Sequence, residues 1–148
     1  VSSALPFIDA HSRLVRAEVG EVWLALGRML ARSDHLTTTV AARLLGTRPL
    51  RAAGDPLVEG STIPGFAVVR AVRPTRLTLA GRHRFARYEL TFHLEPDGDT
   101  TLVRAESRAE FPGPAGRLYE RAVVGSRGHI VAVRRMLARI AREAAAGR

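Results

Sequence analysis

A chain of 148 residues with five histidines and no cysteine can bury roughly two-thirds of the surface its unfolded form exposes, so one domain over 1–148 is expected, without disulfides or thiolate chemistry. The formal charge of +9 rests entirely on arginine: all 23 basic residues are Arg and none is Lys, which, with abundant Ala, Val and Gly, points to GC-rich coding more than to selection for a polyanionic partner. No apolar run approaches the roughly 18 residues that a membrane span needs, and Val1–Ala10 lacks a charged start followed by an apolar stretch, so no span or targeting segment is expected and the cytoplasm is the expected location.

Residues 8–16, IDAHSRLVR, alternate weakly and predict a first strand. From Glu18 the period becomes helical, with Val19, Val22, Leu26, Met29 and Leu30 on one side and Glu18 and Glu21 in the first turn, where the helix dipole favours acids. A second, shorter helix is expected from about Thr39 to Leu45, capped by Thr37 or Thr38 and stopped by Gly46. The Gly- and Pro-rich segment Gly46 to Gly65 reads as a long connection.

After it the period is two. Phe66–Val72, Arg76–Ala80, Arg84–Glu95 and Thr100–Phe111 are four strand candidates, antiparallel because the links are short, with Pro96, Asp97 and Gly98 as a hairpin turn. In the last strand Val103, Ala105, Ser107, Ala109 and Phe111 share one face, and Arg104, Glu106, Arg108 and Glu110 share the other. In the strand before it Tyr88, Leu90, Phe92 and Leu94 share the apolar face, and Arg87, Glu89, Thr91 and His93 the wet one. Arg82, His83 and Arg84 follow Gly81 beside a hairpin link and belong to a rim.

Pro114 to Ala146 is the longest helix candidate. At 100° per residue, Leu118, Ala122, His129, Val133, Met136, Leu137 and Ile140 fall on one side, opposite Arg117, Arg121, Arg127, Arg134, Arg135, Arg139 and Arg142. Its apolar side should lie across the sheet, and Gly125 and Gly128, each about 1 kcal/mol worse than Ala in a helix interior, favour a kink or break between them.

This order of strand, two short helices, antiparallel strands and long C-terminal helix resembles the helix-grip fold of the START-like, or SRPBCC, superfamily, including its polyketide cyclase/dehydrase-like members. RAEVGEVWLAL (Arg16–Leu26), with Val22 and Trp23 entering the first helix, GDPLVEGSTIPGFAVV, RLTLAGRHRFARYELTFHL and GRLYERAVVGSRGHIVAVRRML are similar to segments of bacterial members. The resemblance implies an α+β domain in which a curved antiparallel sheet wraps the C-terminal helix around an apolar cavity. It also implies a lipid, polyketide or other hydrophobic or amphipathic guest, but carries no invariant catalytic set onto these positions.

The site must then be read from the residues. His129 on the apolar side of the last helix and Tyr88 on the inner strand face are the candidate acid-base pair for a cyclase or dehydratase acting on a carbonyl compound. An isolated inward His or Tyr more commonly satisfies a buried hydrogen bond. Phe66, Leu90, Phe92, Ser107, Phe111, Ser126, Val133 and Met136 are candidate lining residues, and Arg82 and Arg84 candidate binders of a carboxylate or phosphate at the mouth. Neither HxH nor HExxH spacing occurs, so no metal and no cofactor is expected. GxSxG is absent and VGSRGH lacks the lysine of a phosphate loop. Binding of a small apolar guest ranks first and the cyclase second. Nucleic-acid binding ranks last: from Ala115 onward there are eight Arg against two Glu, but no interleaved aromatics.

Overall fold

The structure, a computed structural model, describes residues 4–32 and 45–147. Strand β1 (Phe7–Val15) leads into helix α1 (Val19–Ala31); β2 (Thr62–Ile63), β3 (Phe66–Val72), β4 (Arg76–His83), β5 (Ala86–Asp97) and β6 (Thr100–Glu110) follow, then α2 (Gly113–Val123) and α3 (Gly128–Ala146). The short helix expected over Thr39–Leu45 falls, except for Leu45, outside the described residues. The strands form one curved antiparallel sheet in the order β1-β6-β5-β4-β3-β2, so the first strand neighbours the last and the link from β1 to β2 crosses from one edge to the other. This is the α+β helix-grip architecture.

Helix α1 starts where its sequence signals a start: the Glu21 carboxylate reaches back to accept the Glu18 N–H at 3.3 Å, and buried Thr101 on β6 donates to the Ala17 carbonyl at 2.8 Å. Its apolar stripe, Val22, Trp23, Leu26, Met29 and Leu30, is buried. In α3 the stripe Val133, Leu137, Ile140 and Ala144 is buried, and the C-terminal half of the helix packs along α1, with Arg28 Nη2 donating to the Glu143 carbonyl at 3.1 Å. Each large side chain in these stripes contributes roughly 1.5–3 kcal/mol through burial.

The strand register decides where the core ends. On the inner face Leu77, Phe92 and Ala105 lie side by side across β4, β5 and β6, and all three are fully buried under the two helices. Two residues along, or roughly 7 Å at strand rise, comes the row Leu79, Leu90 and Ser107, and two further the row Gly81, Tyr88 and Ala109. The core occupies the first row; the third lies under the α2–α3 junction. On the wet face Glu106 is flanked by Arg108 at 2.8 Å, Arg104 at 3.4 Å and His93 at 3.9 Å. Burial alone would raise the Glu106 carboxyl, but the Arg108 hydrogen bond and these positive charges hold it below its ordinary value.

The C-terminal helix is broken at the glycines, where their cost in a helix interior favours a break, and Arg127 there adopts a left-handed backbone with φ 63°. A Cβ on Gly125 would come within 2.6 Å of the Arg121 carbonyl oxygen, so glycine makes this tight exit possible. Two other expectations are corrected. Because the axis changes at the break, helical phase does not carry through it: Leu118, 71 % exposed, and Ala122 face solvent, while Gly116, Tyr119 and Val123 turn toward the sheet. The β5–β6 hairpin is also tighter than expected. Pro96 and Asp97 pair with Thr101 and Thr100, leaving Gly98 (φ 63°) and Asp99 as the turn. Pro96 is tolerated in the strand because the β4 pairing ends at His93, so no neighbour asks for its missing N–H.

Candidate functional site

Under the α2–α3 junction the inner face of the sheet is not filled by side chains. A cavity of about 300 Å³ lies between β4, β5 and β6 on one side and the two helices on the other. Its sheet wall includes Phe66, Tyr88, Leu90, Ser107 and Phe111; its helix wall includes Tyr119, His129, Val133 and Met136. The outward end carries an aromatic cluster. Tyr119 stacks on Phe85 at 5.6 Å between centroids and meets His83 edge-on at 4.7 Å, and Phe66 meets Tyr88 edge-on at 5.3 Å.

Local sequence explains how Tyr88 is held. Gly81 lies opposite it in register, and a Cβ there would reach within 2.7 Å of the tyrosine ring, so only glycine leaves room for it. The Tyr88 hydroxyl donates to the Gly65 carbonyl at 2.7 Å, and Gly65 itself has φ 89°, open to glycine without strain. Burial, with a smaller contribution from Tyr119, pushes the Tyr88 phenol up to about 12, so it stays protonated and its proton is held by Gly65.

Three more polar groups face the cavity. His83 accepts the Phe85 N–H at Nδ1 over 3.0 Å, and burial lowers its affinity for a second proton, which leaves a neutral ring protonated at Nε2. His129, in the first turn of α3, places Nε2 3.1 Å from Asp9 Oδ1, while the other oxygen of Asp9 lies 3.2 Å from His11 Nε2. The carboxylate thus joins the edge strand β1 to the start of α3. Ser107 is buried and its Oγ has no partner among the described residues.

Of the residues expected at the site, Phe66, Tyr88, Leu90, Ser107, Phe111, His129, Val133 and Met136 form its wall. Four do not. Phe92 is fully buried in the core row, because strand alternation gives the face of a residue but not its distance along the strand. Ser126 is exposed in the break between the helices, where its Oγ donates to the Val123 carbonyl and accepts the Gly128 N–H. Arg82 points outward between inward-facing Gly81 and His83, with its backbone bridged to Arg48, and Arg84 stands exposed in the β4–β5 turn. The exposed arginines of α2 and α3 line the outer surface.

Sequence reading passes over Asp9 and Tyr119 and places His83 only at a rim, whereas it lines the cavity. Asp9 is a charge on an edge strand, which periodicity assigns to solvent; Tyr119, five turns before Leu137, sits at the edge of the apolar side even in one unbroken helical phase, but only the break turns it fully toward the sheet. His83 has a usable signal, since it is two residues from Gly81 on the inner face. Among the described residues no group of three His, Asp or Glu side chains is arranged to hold a metal ion, and no helix is long and apolar enough to cross a membrane.

No family model and no curated protein matches the chain. Solved structures do. CalU16 from Micromonospora echinospora is 21 % identical, with a TM-score of 0.53 over 91 % of this chain and 81 % of its own. A point mutant of norcoclaurine synthase from Thalictrum flavum, in complex with a transition-state analogue, is 14 % identical, with a TM-score of 0.57 over 97 % of this chain and 98 % of its own. DynU16, a protein of the dynemicin biosynthetic locus, is 17 % identical, with a TM-score of 0.54 over 94 % of this chain and 47 % of its own. The likeness is one of fold, the α+β helix grip expected from the sequence.

Proposed function

We propose that this helix-grip chain binds a small hydrophobic or amphipathic molecule, lipid-like or polyketide-like, in the cavity between the sheet and the α2–α3 junction. One observation carries the reading: the inner face is packed solid over the Leu77–Phe92–Ala105 row and opens into about 300 Å³ from the next row, at Leu90 and Ser107, outward. Apolar walls with a few convergent polar groups are the usual make-up of a small-molecule site. Leu90, Val133 and Met136 supply the apolar surface, and Phe66, Phe111 and Tyr119 supply flat faces for rings or chains. Mass spectrometry of an organic extract of protein purified natively should reveal a retained apolar compound. A protein that retains nothing, and takes up no apolar probe when offered one, would refute the proposal.

A second reading, cyclase or dehydratase, is favoured by the contact between His129 and Asp9 at the cavity wall. There His129 would move the proton of a bound carbonyl compound, with Asp9 setting its ring orientation. Tyr88 would serve as donor to the carbonyl oxygen only by exchanging Gly65 for the substrate. The neighbours add some support, since one of them is a synthase caught with a transition-state analogue. Turnover of an aromatic polyketide substrate, abolished in His129→Ala, would select this reading; uptake without turnover would select the carrier.

A further inference from the structure

Ser107 stands out on the inner face of β6. It is 5 % exposed, it forms part of the cavity wall, and its Oγ is a buried polar side-chain atom to which no described group gives or takes a hydrogen bond. Of the other inward residues of this strand, Val103, Ala105 and Ala109 are apolar and buried, and the hydroxyl of Thr101 is satisfied by the Ala17 carbonyl. A buried hydroxyl left without a partner costs about 1–3 kcal/mol, a penalty that alanine in the same place would avoid. Its neighbours in register do not satisfy it. Leu90 on β5 has no polar side-chain atom, and both carboxylate oxygens of Asp9 on β1 are engaged by His129 and His11.

The carboxylate beside this hydroxyl has histidines, not arginines, for partners. Asp9 brings a carboxylate to the position paired with Ser107. The guanidinium nearest in sequence, Arg108, is taken up by Glu106 at 2.8 Å and the Leu5 carbonyl at 3.1 Å. An anionic headgroup at Ser107 would meet the Asp9 charge, and the adjacent Arg108 is already held by its own partners, whereas an uncharged oxygen would meet only a waiting donor.

We infer that Ser107 is the polar anchor of the cavity, donating a hydrogen bond to a neutral acceptor oxygen of the guest, and that Asp9 beside it turns away free carboxylates. The ligand class is therefore ketones, esters or lactones on an apolar frame, not free fatty acids. This rests on the cavity being a ligand site, as proposed above, and sharpens it to one chemical group.

Three probes on one ring system test it by calorimetry on the full chain: 2-acetylnaphthalene, 2-isopropylnaphthalene of nearly the same shape, and 2-naphthoate. Ser107→Ala should weaken the ketone about tenfold and the hydrocarbon less than about twofold, the size of one hydrogen bond formed away from water. The carbonyl stretch of the bound ketone should lie at lower frequency in the parent than in Ser107→Ala. Naphthoate should bind weakest of the three and gain affinity in Asp9→Asn. If the hydrocarbon binds and Ser107→Ala leaves the ketone unaffected, the anchor is refuted while the cavity reading stands. If naphthoate matches the ketone in the parent, the charge selection is refuted. If none of the three binds the parent, the ligand site itself fails, and the anchor with it.

Discussion

Tyr88→Phe removes one oxygen and leaves the ring in place, so its effect can be worked from a single contact. The hydroxyl donates to the Gly65 carbonyl at 2.7 Å in a partly buried setting, and the edge-on contact of the ring with Phe66 does not depend on it. Losing a neutral hydrogen bond and leaving a half-buried carbonyl unpaired should destabilise the chain by about 1–2 kcal/mol. At this chain length that lowers the melting temperature by about 2–4 °C per kcal/mol. There is an alkaline signature as well. The folded chain holds the phenol proton up to about 12, above the ordinary value of 10.0, so this part of the stability is fully present below pH 10 and is lost as pH rises from 10 through 12. Urea denaturation at pH 7 and at steps up to pH 12, read beside phenolate absorbance, measures both effects. In Tyr88→Phe the alkaline loss should shrink to the part carried by Tyr119, whose phenol burial also raises. An unchanged midpoint at pH 7 together with an unchanged alkaline fall would refute the brace.

Ser107→Ala should leave the ligand-free chain as stable as the parent or up to about 3 kcal/mol more stable, because it deletes an unpaired buried hydroxyl; a loss of more than about 1 kcal/mol in urea would mean that the hydroxyl has a partner in the protein. Phe92→Ala should cost about 3–5 kcal/mol, since the ring is fully buried in the core row, and a mild effect on stability with a large one on probe uptake would return Phe92 to the cavity. Leu118→Ser should stay within about 0.5 kcal/mol of the parent in thermal melts, as befits a side chain facing water; a large destabilisation would show that α2 buries the face that unbroken helical phase assigns to it.

The limits of sequence reading follow from what alternation and helical phase encode. Alternation gives faces, and in β5 and β6 those faces are unambiguous: Leu90, Phe92, Leu94, Val103 and Ala105 are inward and buried, while Arg87 and Arg104 are outward. It does not give position along the strand, which is why Leu90 and Phe92 look equivalent in sequence although one borders the cavity and the other the core. Helical phase needs a continuous axis. Downstream of the break it places Val133, Leu137 and Ile140 on the buried side; upstream it mistakes Leu118 for an inward residue. The contacts of Asp9 with His129 and of Tyr88 with Gly65 join residues 120 and 23 positions apart, and only the folded chain reveals them. The glycines that permit this arrangement, Gly81 under the Tyr88 ring and Gly125 at the break, are visible in the sequence, but what they make room for is not.

The central claim is that the sheet is solid under α1 and the C-terminal half of α3, and hollow under the α2–α3 junction. Methyl-labelled protein titrated with 2-acetylnaphthalene and followed by two-dimensional NMR tests this residue by residue. Saturable shifts should be confined to the methyl groups that face the hollow, Leu90, Ala109, Val133 and Met136, while those of Leu26, Leu77 and Ile140 stay fixed. Non-saturating shifts scattered over exposed methyl groups such as Leu14, Val72 and Leu118, with the four cavity residues unmoved, would contradict it.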